Sequence, residues 1–436
     1  MIAEVRLWGR TIGAVTMDDD DPVARFQYES DFVRSGIEVS PITMPLHERV
    51  YAFPALAQRT FHGLPGLLAD SLPDTFGNAL INAWLATQGR TPAEFSTLER
   101  LCYTGNRGMG ALEFAPAQGP RQRTSTPLAI DALVQLASDV LLHRSALHGS
   151  IRVDEASATM RDILLVGTSA GGARAKALIA WNRSTNDVRS GQVNAGDGYE
   201  YWLLKFDGVS GNRDKELDDP RGFGAVEYAY SMMAKAAGIE MSECRLLEEH
   251  GRRHFMTRRF DRGPHGEKIH MQSLCALAHY DFNVPGVYSY EQAMMVMRQI
   301  GLSAAELEQF YRRMVFNIIA RNQDDHVKNI AFLMNKRGEW SLAPAFDVTY
   351  SYNPSGAWTS THQMSMNGKR DGFVLQDLQD CARPALLKRG RWKEIVDDVT
   401  TAVQRWPEFA AEARVDESMA GKIGRAHREL RIANSE

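Results

Sequence analysis

A dense polar cluster lies between two apolar segments in the last third of the sequence and reads Arg321-Asn-Gln-Asp-Asp-His-Val-Lys-Asn329. Phosphoryl transfer needs an aspartate near the acceptor hydroxyl and an oxygen ligand that holds Mg²⁺. Asn329 follows Asp324 by five positions, and the catalytic loop of protein kinases has the same two residue types at that offset. The cluster therefore predicts phosphoryl transfer, and Lys328 is placed to contact the transferred phosphate.

Two other interpretations of this cluster are open. His326 could bind a metal ion, although no second His or Cys follows at the spacing that metal sites use. The cluster could also be a surface feature without function. A helix opened by the capping box Ser303-Ala-Ala-Glu306 leads into it, and the apolar strand predicted at 330–334 follows it. Polar loops held between buried elements often carry function, which favours the catalytic interpretation.

A single carboxylate, Asp347, follows the apolar hairpin strand predicted near Trp340. It could simply cap a turn. Together with Asn329 it is better placed as the second Mg²⁺ ligand, which is the role of the aspartate in the D-F-G motif of kinases.

Lys205 belongs to the apolar segment 201–206, which predicts a strand. A lysine in such a strand needs a carboxylate or a phosphate as a partner, unless it lies at an edge and extends into solvent. Kinases place their nucleotide lysine on the third strand. The helix predicted at 223–237 offers Glu227 as an ion-pair partner, although Glu227 could equally be a solvated helix charge.

A segment of small residues precedes this lysine and lies between two apolar segments, 163–166 and 175–181, both of which we predict as strands. Small side chains let backbone N–H groups approach an anion closely. The segment matches neither the P-loop nor the dinucleotide motif, so a simple hairpin turn is an equal alternative. The small-residue loop comprises Ser169, Ala170, Gly171, Gly172 and Ala173.

Kinases have the same order of elements: a small-residue loop, a strand lysine, an Asp…Asn segment and a metal-binding aspartate.

The composition limits the function classes. Of 436 residues, 44% are hydrophobic and 24% charged, and 50 Lys+Arg against 54 Asp+Glu give a net charge of −4. This balance gives no global electrostatic case for binding nucleic acid or an anionic membrane. No signal peptide or membrane-spanning stretch is visible, so we expect a soluble, cytoplasmic protein without a membrane partner. Four scattered cysteines predict reduced, buried thiols: Cys102, Cys244, Cys275 and Cys381.

The length predicts two or three lobes, and the order of the patterns predicts an α+β fold. Strands are expected at the start, a helix around 79–84, strands again after about residue 150, and mostly helices beyond about residue 223. We expect an N-terminal subdomain over 1–117, a linker over 118–127, the rest of a small β-rich lobe over 128–257, and a large helical lobe over 258–436.

Several segments resemble the motifs of HipA-type serine/threonine kinases, the toxin components of bacterial toxin–antitoxin pairs. The most specific of them is the D-x-H-x-K-N motif, and the resemblance spans most of the chain. The matching segments are Gly66–Asp74, Gly105–Phe114, Ser169–Lys176, Trp202–Phe206, Arg259–Arg262, Asp324–Asn329 and Leu342–Asp347.

The resemblance implies a bilobed, protein-kinase-like or lipid-kinase-like fold that uses ATP and Mg²⁺. By motif position, Asp324 would be the catalytic aspartate, with His326 and Lys328 in the same catalytic motif, and Asn329 and Asp347 would be the metal ligands. The nucleotide site would comprise the loop 169–173, Lys176, Lys205 and Glu227. Lys205 would hold the α/β-phosphates, and Glu227 would be the ion-pair partner of Lys205. The hinge near adenine would be formed by Arg258, Arg259 and Phe260, and Ser169 falls where the family autophosphorylates this loop.

The resemblance also implies partners. Family members phosphorylate cytoplasmic proteins such as aminoacyl-tRNA synthetases, which arrests translation and is linked to persistence. The usual partner is a small helix-turn-helix antitoxin (HipB-like), so contact with operator DNA would occur mainly through that partner. Two alternatives remain open, namely a catalytically weak co-repressor that binds such an antitoxin on operator DNA, and a small-molecule kinase.

Overall fold

The computed structural model describes residues 1–18, 20–119, 125–142, 153–167, 174–209, 213–214, 217–218 and 221–430. An antiparallel sheet with the strand order β4-β3-β2-β1-β5 opens the chain. Its strands are β1 (Ile2–Leu7), β2 (Arg10–Asp18), β3 (Asp21–Tyr28), β4 (Val50–Tyr51) and β5 (Leu112–Ala115). The helices of this region are α1 (Ser30–Val33), α2 (Gln58–Phe61), α3 (Gly66–Ala69), α4 (Thr75–Thr87) and α5 (Thr97–Thr104), with a 3-10 turn at Pro92–Glu94.

A second antiparallel sheet forms the small lobe, in the order β11-β12-β8-β6-β7. Its strands are β6 (Lys176–Asn182), β7 (Val188–Ser190), β8 (Tyr199–Lys205), β11 (Cys244–Glu249) and β12 (Arg252–Arg258). The two-residue strands β9 (Arg213–Asp214) and β10 (Leu217–Asp218) pair with each other. The helices are α6 (Ile130–Leu142), α7 (Val153–Val166) and α8 (Phe223–Ala236).

The large lobe is mainly helical. A sheet in the order β13-β14-β15 supports it, with strands β13 (His270–Ser273), β14 (Ala331–Met334) and β15 (Trp340–Leu342). A 3-10 turn at Val327–Asn329 precedes β14. The helices are α9 (Leu274–Ala278), α10 (Tyr290–Gln299), α11 (Ala304–Ile319), α12 (Leu375–Cys381), α13 (Arg391–Gln404), α14 (Trp406–Glu412) and α15 (Glu417–Ala426). The predicted α+β fold with a small β-rich lobe and a large helical lobe is confirmed.

The N-terminal region shares its packing with both lobes. Val5 and Phe26 of the first sheet belong to the same hydrophobic core as Phe316 in α11. Phe76 of α4, by contrast, packs in a second core with Trp202 of β8. The first 117 residues therefore stabilise both lobes, and their division as a separate subdomain stays a prediction.

Several predicted elements are present. Helix α8 begins at Phe223, and α11 begins with the expected reciprocal hydrogen bonds between Ser303 and Glu306. Residues 120–124 of the predicted linker lie outside the described residues. Of the residues that flank them, Gln118 N donates to Cys102 O at 2.9 Å, so this residue is attached to α5.

The predicted strand at 163–166 is wrong, because these residues form the last turn of α7. All four are buried against the core that includes α4 and α6, and a short, fully apolar segment has no polar face that reveals its period. The region after residue 150 therefore begins with a helix, and the strands start only at Lys176.

The four cysteines are free and buried, as predicted. Within the part of the chain that the structure describes, no helix combines the length and the apolar character needed to cross a membrane.

A histidine contact with the N-terminal region predicts a pH-dependent stability. Burial lowers the pKa of His279 to about 4, and its Nε2 accepts a hydrogen bond from Gly66 N at 3.0 Å. The histidine of an unfolded chain has a pKa of about 6.5, so the unfolded state binds more protons between these two values. The free energy of unfolding should therefore fall as the pH drops below about 6.5, by about 2 kcal/mol from this residue at pH 5.

The comparison is His279→Gln, whose amide oxygen can accept the same bond but does not titrate. We expect its free energy of unfolding, measured in urea at pH 7 and pH 5, to fall less than that of the wild type. His265→Gln changes an exposed histidine and should behave as the wild type does. Equal pH dependence in all three proteins would contradict the role of His279.

Candidate active site

An ion cluster surrounds Lys205, the last residue of β8. The Lys205 and Glu227 side chains are largely buried, and that of Asp347 is partly exposed. Lys205 Nζ lies 2.6 Å from Glu227 Oε1 in α8 and 2.5 Å from Asp347 Oδ1, which follows β15. Strand alternation turns Trp202 and Leu204 into the hydrophobic core of the small lobe and Lys205 towards the opposite face. Lys205 therefore has carboxylate partners and is not an edge lysine that extends into solvent.

The pKa values of this cluster show which charges it stabilises. Burial alone would lower the pKa of Lys205, but the carboxylates of Asp347 and Glu227 raise it above its usual value. Burial would likewise raise the pKa of Asp347, yet the Lys205 ammonium holds it well below its usual range. For Glu227 burial outweighs its cations, so its pKa is raised. These directions favour a charged Lys205 paired with an ionised Asp347.

Asp324 lies in the segment between α11 and β14, and residues that follow β15 hold both its backbone and its carboxylate. Trp358 Nε1 donates to Asp324 Oδ1 at 2.6 Å, and Asp324 N donates to Ser351 Oγ at 3.0 Å. Asn329 lies at the end of the 3-10 turn, and its Nδ2 donates a hydrogen bond to Asp324 O at 2.9 Å. The five-residue spacing is therefore closed by a direct hydrogen bond between its two ends.

Asp325 is the buried neighbour of Asp324 and organises the segment from the inside. Its Oδ2 accepts from Tyr290 Oη at 2.6 Å and lies 2.7 Å from His362 Nδ1, while Oδ1 accepts from Gln363 N at 2.7 Å. Gln363 Nε2 also donates to Trp358 O, and Trp358 contacts Asp324. Burial would raise the pKa of Asp325, but these partners hold it below its usual value.

His326 and Lys328 flank one aromatic ring. The centroid of Phe282 lies 5.3 Å from the His326 ring and 5.3 Å from Lys328 Nζ. His326 Nε2 is 3.8 Å from Asp324 Oδ1. Together with the Asn329 bond to Asp324, these contacts connect all four polar residues of the D-x-H-x-K-N motif.

Asn329 and Asp347 line the same cavity. Because Asn329 Nδ2 is bonded to Asp324 O and Asp347 Oδ1 to Lys205, the oxygen Asn329 Oδ1 and the oxygen Asp347 Oδ2 lie outside those two contacts. Such hard oxygen ligands suit Mg²⁺, which proteins usually hold with one or two carboxylates plus substrate phosphates. Among the described residues, no group of three or more His, Cys, Asp or Glu side chains could hold a metal ion by itself.

The backbone of Asp347 is left-handed, with φ 55°. Non-glycine residues rarely adopt this conformation, and Asp and Asn are among the side chains that tolerate it best. The turn presents the carboxylate to Lys205 across the cleft between the lobes.

The residues predicted for the nucleotide loop divide into two groups. Ser169, Ala170, Gly171, Gly172 and Ala173 lie outside the described residues. Lys176, the first residue of β6, is described, and its Nζ lies 3.2 Å from Asp74 Oδ2, with both side chains almost fully buried. Asp74 Oδ1 also accepts from Gly77 N at 2.6 Å and so caps α4. The structure thus gives Lys176 a carboxylate partner from the N-terminal region, which sequence reasoning did not find.

The residues of the predicted hinge and those that follow it contact the N-terminal region. Arg259 Nε and Nη2 donate to the Asp261 carboxylate at 2.8 and 2.7 Å, and Arg262 Nη1 donates to it at 2.8 Å. Gly110 N donates to Asp261 Oδ2 at 2.7 Å, and Arg262 returns hydrogen bonds to Gly110 O and Gly108 O. The Asp261 carboxylate thus links Arg259 and Arg262 to the backbone of the N-terminal region, and the adenine contact predicted for Arg259 stays a prediction.

Arg258 and Phe260 of this hinge have different partners. Arg258, the last residue of β12, is exposed and lies 3.8 Å from Glu200. The Phe260 ring lies 5.7 Å from that of Phe346, which directly precedes Asp347. The hinge is thus in contact with the segment that carries the predicted metal ligand.

Two family models match the chain. The HipA N-terminal domain matches residues 3–115, and the HipA-like C-terminal domain matches residues 168–406, which is more than half of the sequence. The chain belongs to the HipA family. HipA of Shewanella oneidensis MR-1, solved in a complex with HipB and operator DNA, has the same fold with a TM-score of 0.64. The two chains are 16% identical in sequence, and the superposition covers 97% of this chain and 94% of that one.

A curated relative shares part of this sequence. Y4dM of Sinorhizobium fredii (strain NBRC 101917 / NGR234), provisionally named a kinase, is 26% identical over 238 residues. This match spans 50% of the chain and 56% of the relative.

Within this HipA-family chain, sequence reasoning missed four residues that shape the site. Asp325 and Asp74 stand inside segments that already resembled the family, so their acidic side chains were the available signal. For Trp358 and His362 the sequence offers no such signal, because neither residue lies near a recognised motif.

Variants of Asp74 and Lys176 can show whether Lys176 stabilises the fold or binds the nucleotide. Asp74→Asn keeps a residue type that caps helices but leaves the Lys176 ammonium buried without its carboxylate. Lys176→Met leaves the carboxylate unpaired. Each variant should lose about 3–5 kcal/mol of unfolding free energy, and the double variant should lose clearly less than the sum.

Urea unfolding of the nucleotide-free protein measures these losses, with Lys422→Met as an exposed control. If Lys176 instead binds phosphate directly, the free energy of unfolding of Lys176→Met would lie within about 1 kcal/mol of the wild-type value, and the variant would lose affinity for ATP.

Proposed function

We propose that the chain is an ATP- and Mg²⁺-dependent protein kinase that phosphorylates serine or threonine. The observation that carries this proposal is the placement of four residues around one cleft. Lys205 is joined to Asp347, Asp347 lines a cavity with Asn329, and Asn329 is bonded to Asp324. Phosphoryl transfer uses the same set of groups: a cation that binds phosphate, two residues that can coordinate a metal ion, and a catalytic carboxylate.

Each residue then has a defined task. Lys205 binds phosphate oxygens and is oriented by Glu227, as the strand lysine and helix glutamate of kinases are. The Asp324 carboxylate orients the acceptor hydroxyl and accepts its proton, while the Lys328 ammonium stabilises the charge on the transferred group.

The two oxygen ligands complete this arrangement. Asn329 Oδ1 and Asp347 Oδ2 would hold Mg²⁺, which supplies neutralisation of the phosphate charge when it is bound. The hinge after β12 would contact adenine through its backbone and through the ring of Phe260.

The proposal extends to partners. The Shewanella HipA was solved with HipB and operator DNA, and we infer a small helix-turn-helix antitoxin for this chain. The net charge of −4 is consistent with DNA contact that is mainly indirect. We further propose that the chain is the toxin of such a pair, and that its substrate is a cytoplasmic protein of translation.

The decisive experiment uses Asp324→Asn. The variant keeps the size and the hydrogen-bond acceptor of the side chain but cannot accept a proton at neutral pH. Transfer of radiolabelled γ-phosphate to the protein itself, or to proteins of a cell lysate, should fall at least about 10²-fold, because a general base contributes about 10²–10⁴. Asp397→Asn, on the exposed face of α13, is the matched control.

Transfer by Asp324→Asn at the wild-type rate would contradict the assignment. Tight ATP binding by the wild type without any transfer would instead favour a co-repressor without catalytic activity. Transfer to a small molecule with no new phosphopeptide in the lysate would indicate a small-molecule kinase.

Autophosphorylation of Ser169 stays a prediction, since this residue lies outside the described residues. Phosphopeptide mapping after incubation with ATP should find phosphate on Ser169. A Ser169→Asp variant should bind ATP more weakly in calorimetry, because the added negative charge repels the phosphates. Unchanged affinity would contradict this mode of regulation.

A further inference from the structure

The segment after α15 closes the end of the helix that leads into the catalytic segment. Arg428 N donates to Ile319 O at 2.9 Å, and Arg428 Nη1 donates to Ile318 O at 3.1 Å. Both carbonyls belong to the last turn of α11, where helix carbonyls have no partner within the helix. A cation at this end also interacts favourably with the helix dipole. Arg428 therefore stabilises the point at which the chain leaves α11.

The Arg428 guanidinium also contacts His362, which in turn contacts Asp325 beside the catalytic aspartate. Arg428 Nη1 lies 2.7 Å from His362 Nε2, and His362 Nδ1 lies 2.7 Å from Asp325 Oδ2. A guanidinium can only donate, so Nε2 is the acceptor and the proton of the neutral ring is on Nδ1. His362 must therefore donate to Asp325. The direction of every bond in this chain is fixed by Arg428.

The side chains along this path are shielded from solvent. The Arg428 side chain is 7% exposed, and those of His362 and Asp325 are 0% and 1% exposed. Asp371 accepts a hydrogen bond from Arg428 on the outer side. A buried network of this kind has few alternative arrangements, so the loss of one member displaces its neighbours.

A second path joins Asp325 to the backbone of Asp324. It runs from Asn317 Nδ2 to Tyr290 Oη at 3.1 Å and from Asn322 Nδ2 to Asn317 Oδ1 at 2.9 Å. Ser351 Oγ then donates to Asn322 Oδ1 at 3.2 Å and accepts from Asp324 N at 3.0 Å. The position of Asp324 thus depends on the orientation of Asp325, which depends on His362 and Arg428.

We propose that Arg428 is a positioning residue for phosphoryl transfer, acting through His362 and Asp325 on the placement of Asp324. This inference rests on the proposed kinase function. The polar contacts of Arg428 are with α11, His362 and Asp371 and include no member of the ion cluster around Lys205, so its loss should slow transfer while ATP affinity is kept. A misplacement of about 1 Å in a catalytic group can cost about 10²-fold in rate.

The test compares Arg428→Met and Arg428→Ala with the control Arg425→Met, which changes an exposed arginine of α15. Autophosphorylation by the full-length protein with radiolabelled ATP gives the rate at saturation and the ATP concentration of half-saturation. We expect the saturating rate to fall about 30- to 100-fold in both Arg428 variants, with half-saturation within twofold of the wild type. Added guanidinium should restore part of the rate of Arg428→Ala but not of Asp324→Asn.

His362 supplies an independent variant pair if the Arg428 variants do not fold. His362→Gln can still donate to Asp325 and accept from Arg428, so it should retain most of the rate. His362→Leu can do neither and should lose it. Equal rates in these two variants would overturn the relay.

Other outcomes are equally decisive. A saturating rate within twofold of the wild type in Arg428→Met would overturn the inference. So would a parallel loss of rate and ATP affinity that guanidinium does not rescue, since that indicates a general structural defect.

A wild type that transfers no phosphate would contradict the proposed function alone. The positioning role would then be tested by hydrogen exchange, where the amides of residues 320–329 should exchange at least about tenfold faster in Arg428→Met than in Arg425→Met. Unchanged exchange would overturn it.

Discussion

Lys205 carries a buried positive charge, and such a charge is stable only when carboxylates compensate for its lost hydration. Its two carboxylates come from different parts of the molecule, since Glu227 belongs to a helix of the small lobe and Asp347 to a turn of the large lobe. The ion cluster therefore holds the lobes in register and orients the side chains that face the cleft. The left-handed backbone of Asp347, the ring contact between Phe260 and Phe346, and the cavity shared with Asn329 all lie next to this cluster.

The residues that could be predicted from the sequence share one property: their chemistry is visible in a short segment. Asp324 and Asn329 are five positions apart and bond to each other directly. Lys205 stood out because a lysine in an apolar strand requires a partner, and the next helix supplied Glu227. These predictions needed only local spacing and the cost of burying charge.

The partners that were missed are far apart in the chain. His362 lies 37 positions from Asp325 and 66 from Arg428, so no spacing rule connects them. Asp74 and Lys176 meet only because α4 packs into the core of the small lobe. The wrong strand prediction for the apolar segment 163–166 has a related cause, since tertiary burial on all sides removes the period that distinguishes a helix from a strand.

The polar contacts of the first sheet and its neighbouring helices also constrain how the molecule is made. Trp8 bonds to Lys268, Thr60 to Asp281 and Glu38 to Trp340, across separations of 260, 221 and 302 residues. A ribosome adds about 5–20 residues per second, so the N-terminal residues wait roughly 10–60 s for the partners they dock against. During that interval their apolar surface is uncovered. The nascent chain is therefore expected to depend on chaperones at the ribosome more than a protein of similar size built from sequential, self-contained domains.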